Sequence, residues 1–206
     1  MNTLVAWSGG LDSTALIDYL LKKGDRVSSI YIEVPGNGDK CKREQRAIDR
    51  MTSYFSRYSF EHLGTTTISP YSGSVLAMKQ PLLWLTGLVY ALNSQHDSVA
   101  IGYVMGDCAI SYLPDIRSIW DSFSALSDRQ LPPLTFPLIK KDKTDLWKDI
   151  PDEVKPHITW CESHAAIIAP CGECHPCRRA LFEGIVVKEQ SNDTSDIQQI
   201  LVKRDA

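Results

Sequence analysis

Two groups of residues have the types and spacing to do chemistry. The first is Ser8-Gly9-Gly10-Leu11-Asp12-Ser13-Thr14. Paired glycines let successive backbone N–H groups converge on an anion, and a helix starting there adds its positive end. The Ser8 and Ser13 hydroxyls can add hydrogen bonds. Asp12 suits a polyanion only if a magnesium ion intervenes, or if it caps the helix. The loop is not of the Walker type, which needs Gly-Lys-Ser/Thr after a four-residue spacer. Ser-Gly-Gly by itself is equally a tight turn. The whole run, set between a buried strand and an amphipathic helix, predicts a phosphate cradle.

The second group is Cys161, Cys171, Cys174 and Cys177, spaced C-x9-C-x2-C-x2-C. Thiolates two residues apart can share one tetrahedral ion, because the turn between them points both sulfurs inward. Gly172 falls where such a knuckle needs positive φ. The spacing predicts a closed, structural zinc site, with a redox-active pair and an iron–sulfur cluster as rivals. His164 and His175 are near enough in sequence to compete as ligands. Arg178 and Arg179 could offset the negative charge of four thiolates. Cys41 and Cys108 stand apart and read as incidental or close to the active site.

Hydrophobic patterning supplies the elements that must position these groups. The run from Asn2 to Ser8 reads as a buried strand, followed by a helix with Leu16, Ile17, Leu20 and Leu21 on one face and Gly24 as its stop. Strands are expected near residues 26–34, 61–69, 98–104 and 134–139. Helices are expected over 41–58, about 75–93, 115–126 and 177–189. Strand and helix alternating at this spacing predict an α/β fold with a mostly parallel sheet flanked by helices. In such sheets ligands lie beyond the carboxyl ends of the strands, where strand order reverses. The expected organisation is an α/β nucleotide-binding unit over 1–150, a zinc-binding segment packed on it over 151–190, and a polar tail over 191–206.

The 206 residues suffice for one core, and 43% apolar with 23% charged residues suit a water-soluble domain. A net charge of −3 argues against a dedicated nucleic-acid or membrane-surface binder. No apolar run approaches the roughly 20 residues of a membrane span, and no secretory signal is visible. A cytoplasmic setting is the expectation.

The phosphate loop resembles that of the pyrophosphatase-loop enzymes, which adenylate a carboxylate or amide and release pyrophosphate. Within that group the chain is similar to the QueC family, the 7-cyano-7-deazaguanine synthases. The resemblance is carried by SGGLDST at 8–14, GYVMGDCAISYLPDIR at 102–117, FPLIKKDKTDL at 136–146 and TWCESHAAIIAPCGECHPCRRALFEG at 159–184. Two departures stand out. The family's Arg-Asn pair before the long central helix is replaced by a stretch reading AMKQPLLWL, and its segment after the second strand appears only as PGNGDKCKREQRA.

The resemblance implies an adenine nucleotide alpha hydrolase, or HUP-like, fold and a homodimer. It implies ATP, magnesium and zinc as cofactors. It further implies conversion of 7-carboxy-7-deazaguanine and ammonia to the nitrile, through an acyl-adenylate and an amide. Ser8, Gly9, Gly10, Asp12, Ser13 and Thr14 would hold the pyrophosphate and its metal. Lys143, the counterpart of a family lysine that opens a helix, and Arg117 would stabilise charge on phosphate or carboxylate, unless they are solvated surface cations. Asp107 and Asp115 would hold magnesium or a guanine-like edge, although Asp115 equally suits a helix N-cap. Trp84, Trp120 and Tyr103 could stack on a purine but fit a core better. Alternatives are a ligase that stops at the amide or passes the acyl group to a protein amine, as in phage-defence clusters, and an inactive nucleotide-binding subunit. A sulfur-transferring tRNA modifier is a further one, disfavoured by the low basic charge.

Overall fold

A computed structural model describes residues 1–35, 39–69, 80–163 and 170–185. The five strands are β1 (Asn2–Ala6), β2 (Arg26–Glu33), β3 (Phe60–Thr67), β4 (Ser98–Ala100) and β5 (Leu134–Thr135). They form one sheet in the order β3-β2-β1-β4-β5, and every described pairing is parallel. The order reverses at β1, so the crevice between the carboxyl ends of β1 and β4 is the switch point. This is the expected α/β architecture, a parallel sheet with helices packed on both faces.

Side chains on β1 alternate between the two faces. Val5 and Trp7 enter one apolar core with α1 (Leu11–Lys22) and α2 (Asp39–Phe55). Leu4 and Ala6 enter a second core with α3 (Gln80–Ala91) and α4 (Leu113–Ala125). Such two-faced burial is what right-handed crossovers on either side of a parallel sheet demand. On α2 the buried positions Ala47, Ile48, Met51 and Phe55 recur at helical spacing, with charged residues opposite. The interior of the first core includes Trp7 packed edge-on against Phe55 and Phe60, at ring separations of 5.8 and 5.6 Å.

The strands after α3 are shorter than their apolar runs suggest. Past Ala100, Ile101 N still bonds Thr135 O at 3.1 Å, and the chain then approaches the start of α1. At Gly102 a Cβ would meet the Asp12 carbonyl oxygen at 2.7 Å, so only glycine fits there. The helix expected from about residue 75 begins, as far as it is described, at Gln80, and residues 75–79 lie outside the described chain. The polar tail over 191–206 and His164 lie outside it as well. Among the described helices none is long and apolar enough to cross a membrane.

Beyond β5, α5 (Lys143–Asp149) is capped by Asp142, whose carboxylate accepts from Asp145 N at 2.8 Å. The last described helix, α6 (His175–Phe182), starts two residues before Cys177 and ends well short of residue 189. Gly184 at φ +69° turns the chain back there, and Ile185 N bonds Ala180 O at 2.8 Å. Ala180 and Ile185 belong to the same core as Val5 and Trp7, which seats the cysteine segment on the sheet domain.

Candidate active site

The phosphate loop runs from the end of β1 into α1. Gly9 is in the left-handed region at φ +70°, and a Cβ there would lie 2.9 Å from the Ala47 Cβ on α2. Its carbonyl accepts from Thr159 N at 3.0 Å, tying the loop to the chain that leads into the cysteines. Gly10 is the N-cap of α1 and has no side chain to offer, so no side chain caps the helix. The amides of the first turn therefore face the crevice with the helix dipole behind them. Ser8 and Ser13 hydroxyls lie 3.3 Å apart across the loop.

Above this turn opens a cleft of about 340 Å³, within the roughly 300–1,000 Å³ range of small-molecule sites. Ser8, Gly10, Asp12 and Ser13 line it from the loop, Asp107 and Lys143 from the segments after β4 and β5, and Thr159, Cys161 and Arg179 from the cysteine segment. Gly9 and Thr14, expected to touch phosphate, do not line it. Gly9 shapes the turn. Thr14 is fully buried beneath the loop, where its hydroxyl accepts from the Trp7 indole N–H at 2.9 Å.

Charged side chains form a chain across the cleft. Lys143 Nζ donates to Asp12 Oδ2 at 2.5 Å and lies 3.6 Å from Asp107 Oδ1. Arg179 Nη1 lies 3.5 Å from the same Asp107 oxygen, and its Nε donates to Glu183 Oε1 at 2.7 Å. Asp107 Oδ2 accepts from Val104 N at 3.0 Å. Burial pushes the Asp12 carboxyl above the usual carboxylate range, opposed by Lys143 and reinforced by Asp107. Asp12 Oδ1 is shielded from solvent with no hydrogen-bond partner among the described residues. A carboxylate oxygen without a partner on the cleft-lining Asp12, together with the neighbouring Asp107, is a donor set that fits a hard divalent cation.

Two candidates fall elsewhere. Arg117 is exposed on α4, with its guanidinium 5.7 Å from the Phe136 ring centre. Asp115 is not the N-cap of α4; Tyr112 is, and Asp115 lies in the exposed first turn, where its charge complements the dipole. Neither lines the cleft. The helix begins earlier than expected because Pro114 favours the first turn.

Of the aromatics, Trp120 is core, its indole bonded to Pro132 O at 2.9 Å. Trp84 and Tyr103 line the cleft while stacking on each other at 6.1 Å. The Tyr103 hydroxyl is buried without a partner among the described residues. Cys108 lines the cleft, whereas Cys41 is buried, with its thiol donating to Val34 O at 3.7 Å.

The four cysteines converge as their spacing predicts. All four sulfurs lie within 4.8 Å of one another, and none is in a disulfide. Tetrahedral zinc with Zn–S near 2.3 Å places its sulfurs roughly 3.8 Å apart, so the cluster fits the ion. Gly172 adopts φ +73° in the knuckle. Backbone N–H groups of Cys174 and Glu173 pull the Cys171 thiol down to about 6, while burial pushes the Cys177 thiol up. Arg43, from α2, donates to Cys161 O at 2.9 Å and Ser163 O at 2.7 Å, anchoring the segment. His175 lies in the cleft lining and is not part of the cluster.

The arginines expected to balance the thiolates do something else. Arg178 Nε donates to the Glu173 carbonyl at 2.5 Å. Arg179 reaches into the cleft, as does Glu183, which sequence reading missed altogether. Lys40 and Glu44, also in the lining, were missed too. Burial pushes the Glu44 carboxyl up, while the Tyr31 hydroxyl donates to it at 2.7 Å. The adjacent Arg-Arg pair was a visible signal, but Asp107, which Arg179 meets in the cleft, is separated from it by a long stretch of chain.

No protein-family model matches the chain, and no curated protein matches it. Among solved structures it is similar to NMN synthetase from Francisella tularensis, at 18% identity and a TM-score of 0.38, over 74% of this chain and 63% of that one. It is also similar to a 4-thiouridine synthetase solved as an RNA complex with bound ATP. There the identity is 17% and the TM-score 0.44, over 90% of this chain and 50% of that one. The chain thus spans between half and about two thirds of the length of these structures. What class the protein falls in rests on its own sheet order and site: a parallel α/β domain with an uncapped glycine turn at the switch point and a four-cysteine knot beside it.

Proposed function

We propose that this chain is an ATP-dependent adenylating ligase. The observation that carries the reading is the uncapped first turn of α1, whose Asp12 is bonded to Lys143 and which opens into a cleft at the topological switch point. Backbone amides aimed at one spot, with a helix dipole behind them, favour a polyphosphate over a neutral ligand. The particular reaction we propose, following the QueC resemblance, joins 7-carboxy-7-deazaguanine and ammonia to give 7-cyano-7-deazaguanine.

A carboxylate resists attack by an amine because oxide is no leaving group. Transfer of AMP to it, with release of pyrophosphate, supplies one. Ammonia then displaces AMP to give the amide. A second ATP activates the amide oxygen, and loss of AMP and a proton leaves the nitrile. Two ATP are consumed and two AMP and two pyrophosphate are released.

This chemistry asks the protein for placement and charge, not for a nucleophile. Ser8, Gly10 and Ser13 would cradle the leaving pyrophosphate. Lys143 would exchange its Asp12 contact for a phosphate oxygen, leaving Asp12 and Asp107 to hold magnesium. That ion, when bound, neutralises charge on the phosphate oxygens. Cys161, Cys171, Cys174 and Cys177 would hold zinc, which closes the knot and keeps one wall of the cleft in place. We further propose a cytoplasmic homodimer.

Incubation with the acid, ATP, magnesium and ammonium, followed by mass spectrometry, tests the reading. The nitrile, with two AMP per product, is the expected outcome. AMP accompanied by the amide alone would end the reaction after the first activation, and AMP accompanied by a protein adduct would move the proposal to another acceptor. No AMP under these conditions would sink it.

A further inference from the structure

We infer that Arg179 binds an oxyanion in the cleft, making the cysteine-knot helix a contributor to the reacting site and not only a support. The inference deepens the adenylation reading and rests on it. Arg179 Nε is fixed by Glu183 at 2.7 Å, which sets the plane of the guanidinium. Its two outer nitrogens are much less well served. Nη1 lies 3.5 Å from Asp107 Oδ1, and Nη2 lies 3.5 Å from Met105 O. Charge-assisted bonds close to about 2.7–2.9 Å when they are satisfied. The guanidinium is thus held at its base, with its outer edge loosely engaged in a cleft-lining side chain.

The loop after β4 is shaped to receive it. Gly106 adopts φ +85°, and a Cβ there would meet Arg179 Nη2 at 3.2 Å. Lys143 approaches the same Asp107 oxygen from another side, at 3.6 Å. Two cations therefore straddle one carboxylate oxygen at distances longer than either could reach with a well-placed partner. A ligand with two oxygens on one phosphorus or carbon would replace those long contacts by a short bidentate pair, the geometry the planar fork favours. Burial alone would weaken the charge, but Glu183, Asp107 and Asp12 hold the guanidinium firmly protonated.

The oxyanion has two possible sources, the polyphosphate of the nucleotide or the carboxylate of the acid. A merely structural link between α6 and the β4 loop would affect folding and metal content instead of ligand affinity. The test uses the full-length protein and its R179Q and R179K variants. It measures zinc content, thermal midpoint, and calorimetric binding of magnesium pyrophosphate and of 7-carboxy-7-deazaguanine. With zinc content unchanged, R179Q should bind one of the two anions at least about tenfold more weakly, as loss of a charged hydrogen-bonding pair implies.

R179K, which keeps the charge without the fork, should fall between R179Q and wild type, and it serves if R179Q does not fold. Weakening confined to pyrophosphate assigns the phosphate, and weakening confined to the acid assigns the carboxylate. Wild-type affinity of R179Q for both anions overturns the inference while leaving the adenylation reading intact. So does wild-type affinity of R179K for both if R179Q is unfolded. A wild-type protein that binds neither anion overturns both.

Discussion

Asp12 shows how one side chain can oppose stability and function. Its Oδ1 is buried without a partner among the described residues, and burial lifts its folded-state pKa despite the Lys143 contact. The sign follows from linkage. Below about pH 3.9 the group is protonated in both states and costs nothing; as pH rises, the unfolded chain ionises first and stability falls. The loss is complete above the folded-state pKa. We therefore expect Asp12→Asn to be more stable than wild type at pH 7 and to converge with it near pH 4, as followed by urea denaturation. AMP formation should fall by at least about a hundredfold, if the carboxylate orders charge at the phosphates. A stability difference that stays constant across this pH range would contradict the assignment.

The contact between β4 and α1 decides whether the loop is poised for a ligand. The chain after β4 passes so close to the first turn of α1 that an added methyl at residue 102 would strike the Asp12 carbonyl carbon at 2.8 Å and Ser13 N at 3.0 Å. These are backbone atoms, which cannot turn aside as a flexible side chain can. Gly102→Ala should push the helix start away from the crevice and destabilise the fold by about 1–3 kcal/mol, the usual cost of overpacking. ATP affinity should drop more than the affinity for any ligand bound elsewhere on the chain. Titration calorimetry beside chemical denaturation checks both, and a variant of wild-type stability and affinity would refute the close approach.

The cysteine segment joins the sheet domain through Gly9, Arg43 and the buried side chains of Ala180 and Ile185. Because Thr159, Cys161 and Arg179 wall the cleft, loss of the metal should be felt there. Stripping zinc with a chelator is expected to lower the thermal midpoint and to weaken ATP binding in parallel, with recovery of both on zinc addition. Undiminished ATP binding in metal-free protein would separate the knot from the site. Acid acts on the whole fold by another route. Burial lowers the pKa of His62, His96 and His157, so each binds a proton more readily when unfolded. Their contribution is present above about pH 6.5 and is lost as pH falls through the lowered values. The urea midpoint should accordingly decline from pH 7.5 to 5.5. In His62→Gln, which removes the ring bonded to Ser29 Oγ at 2.9 Å, the decline should be shallower.

The local signals were strong where a motif depends on its own backbone. The glycine turn entering α1, the sulfur knuckle around Gly172 and the buried strand β1 were all legible, because near neighbours in sequence impose them. The parallel α/β class was legible too, from the spacing of its strands and helices. What residue types could not reveal was which polar groups meet. Arg179 looked like a counter-charge for thiolates two residues away, yet the turn of α6 carries it across to Asp107. Thr14 looked like a phosphate ligand, yet the helix directs it under the loop to Trp7. Arg117 and Asp115 belonged to a promising run, but both lie exposed on α4, while Asp107 of the same run lines the cleft. By itself the sequence determined the glycine turn, the four-cysteine knuckle and the sheet between them. The charged lining of the cleft was decided only by tertiary structure, because a long side chain chooses among distant partners according to where packing leaves room for it.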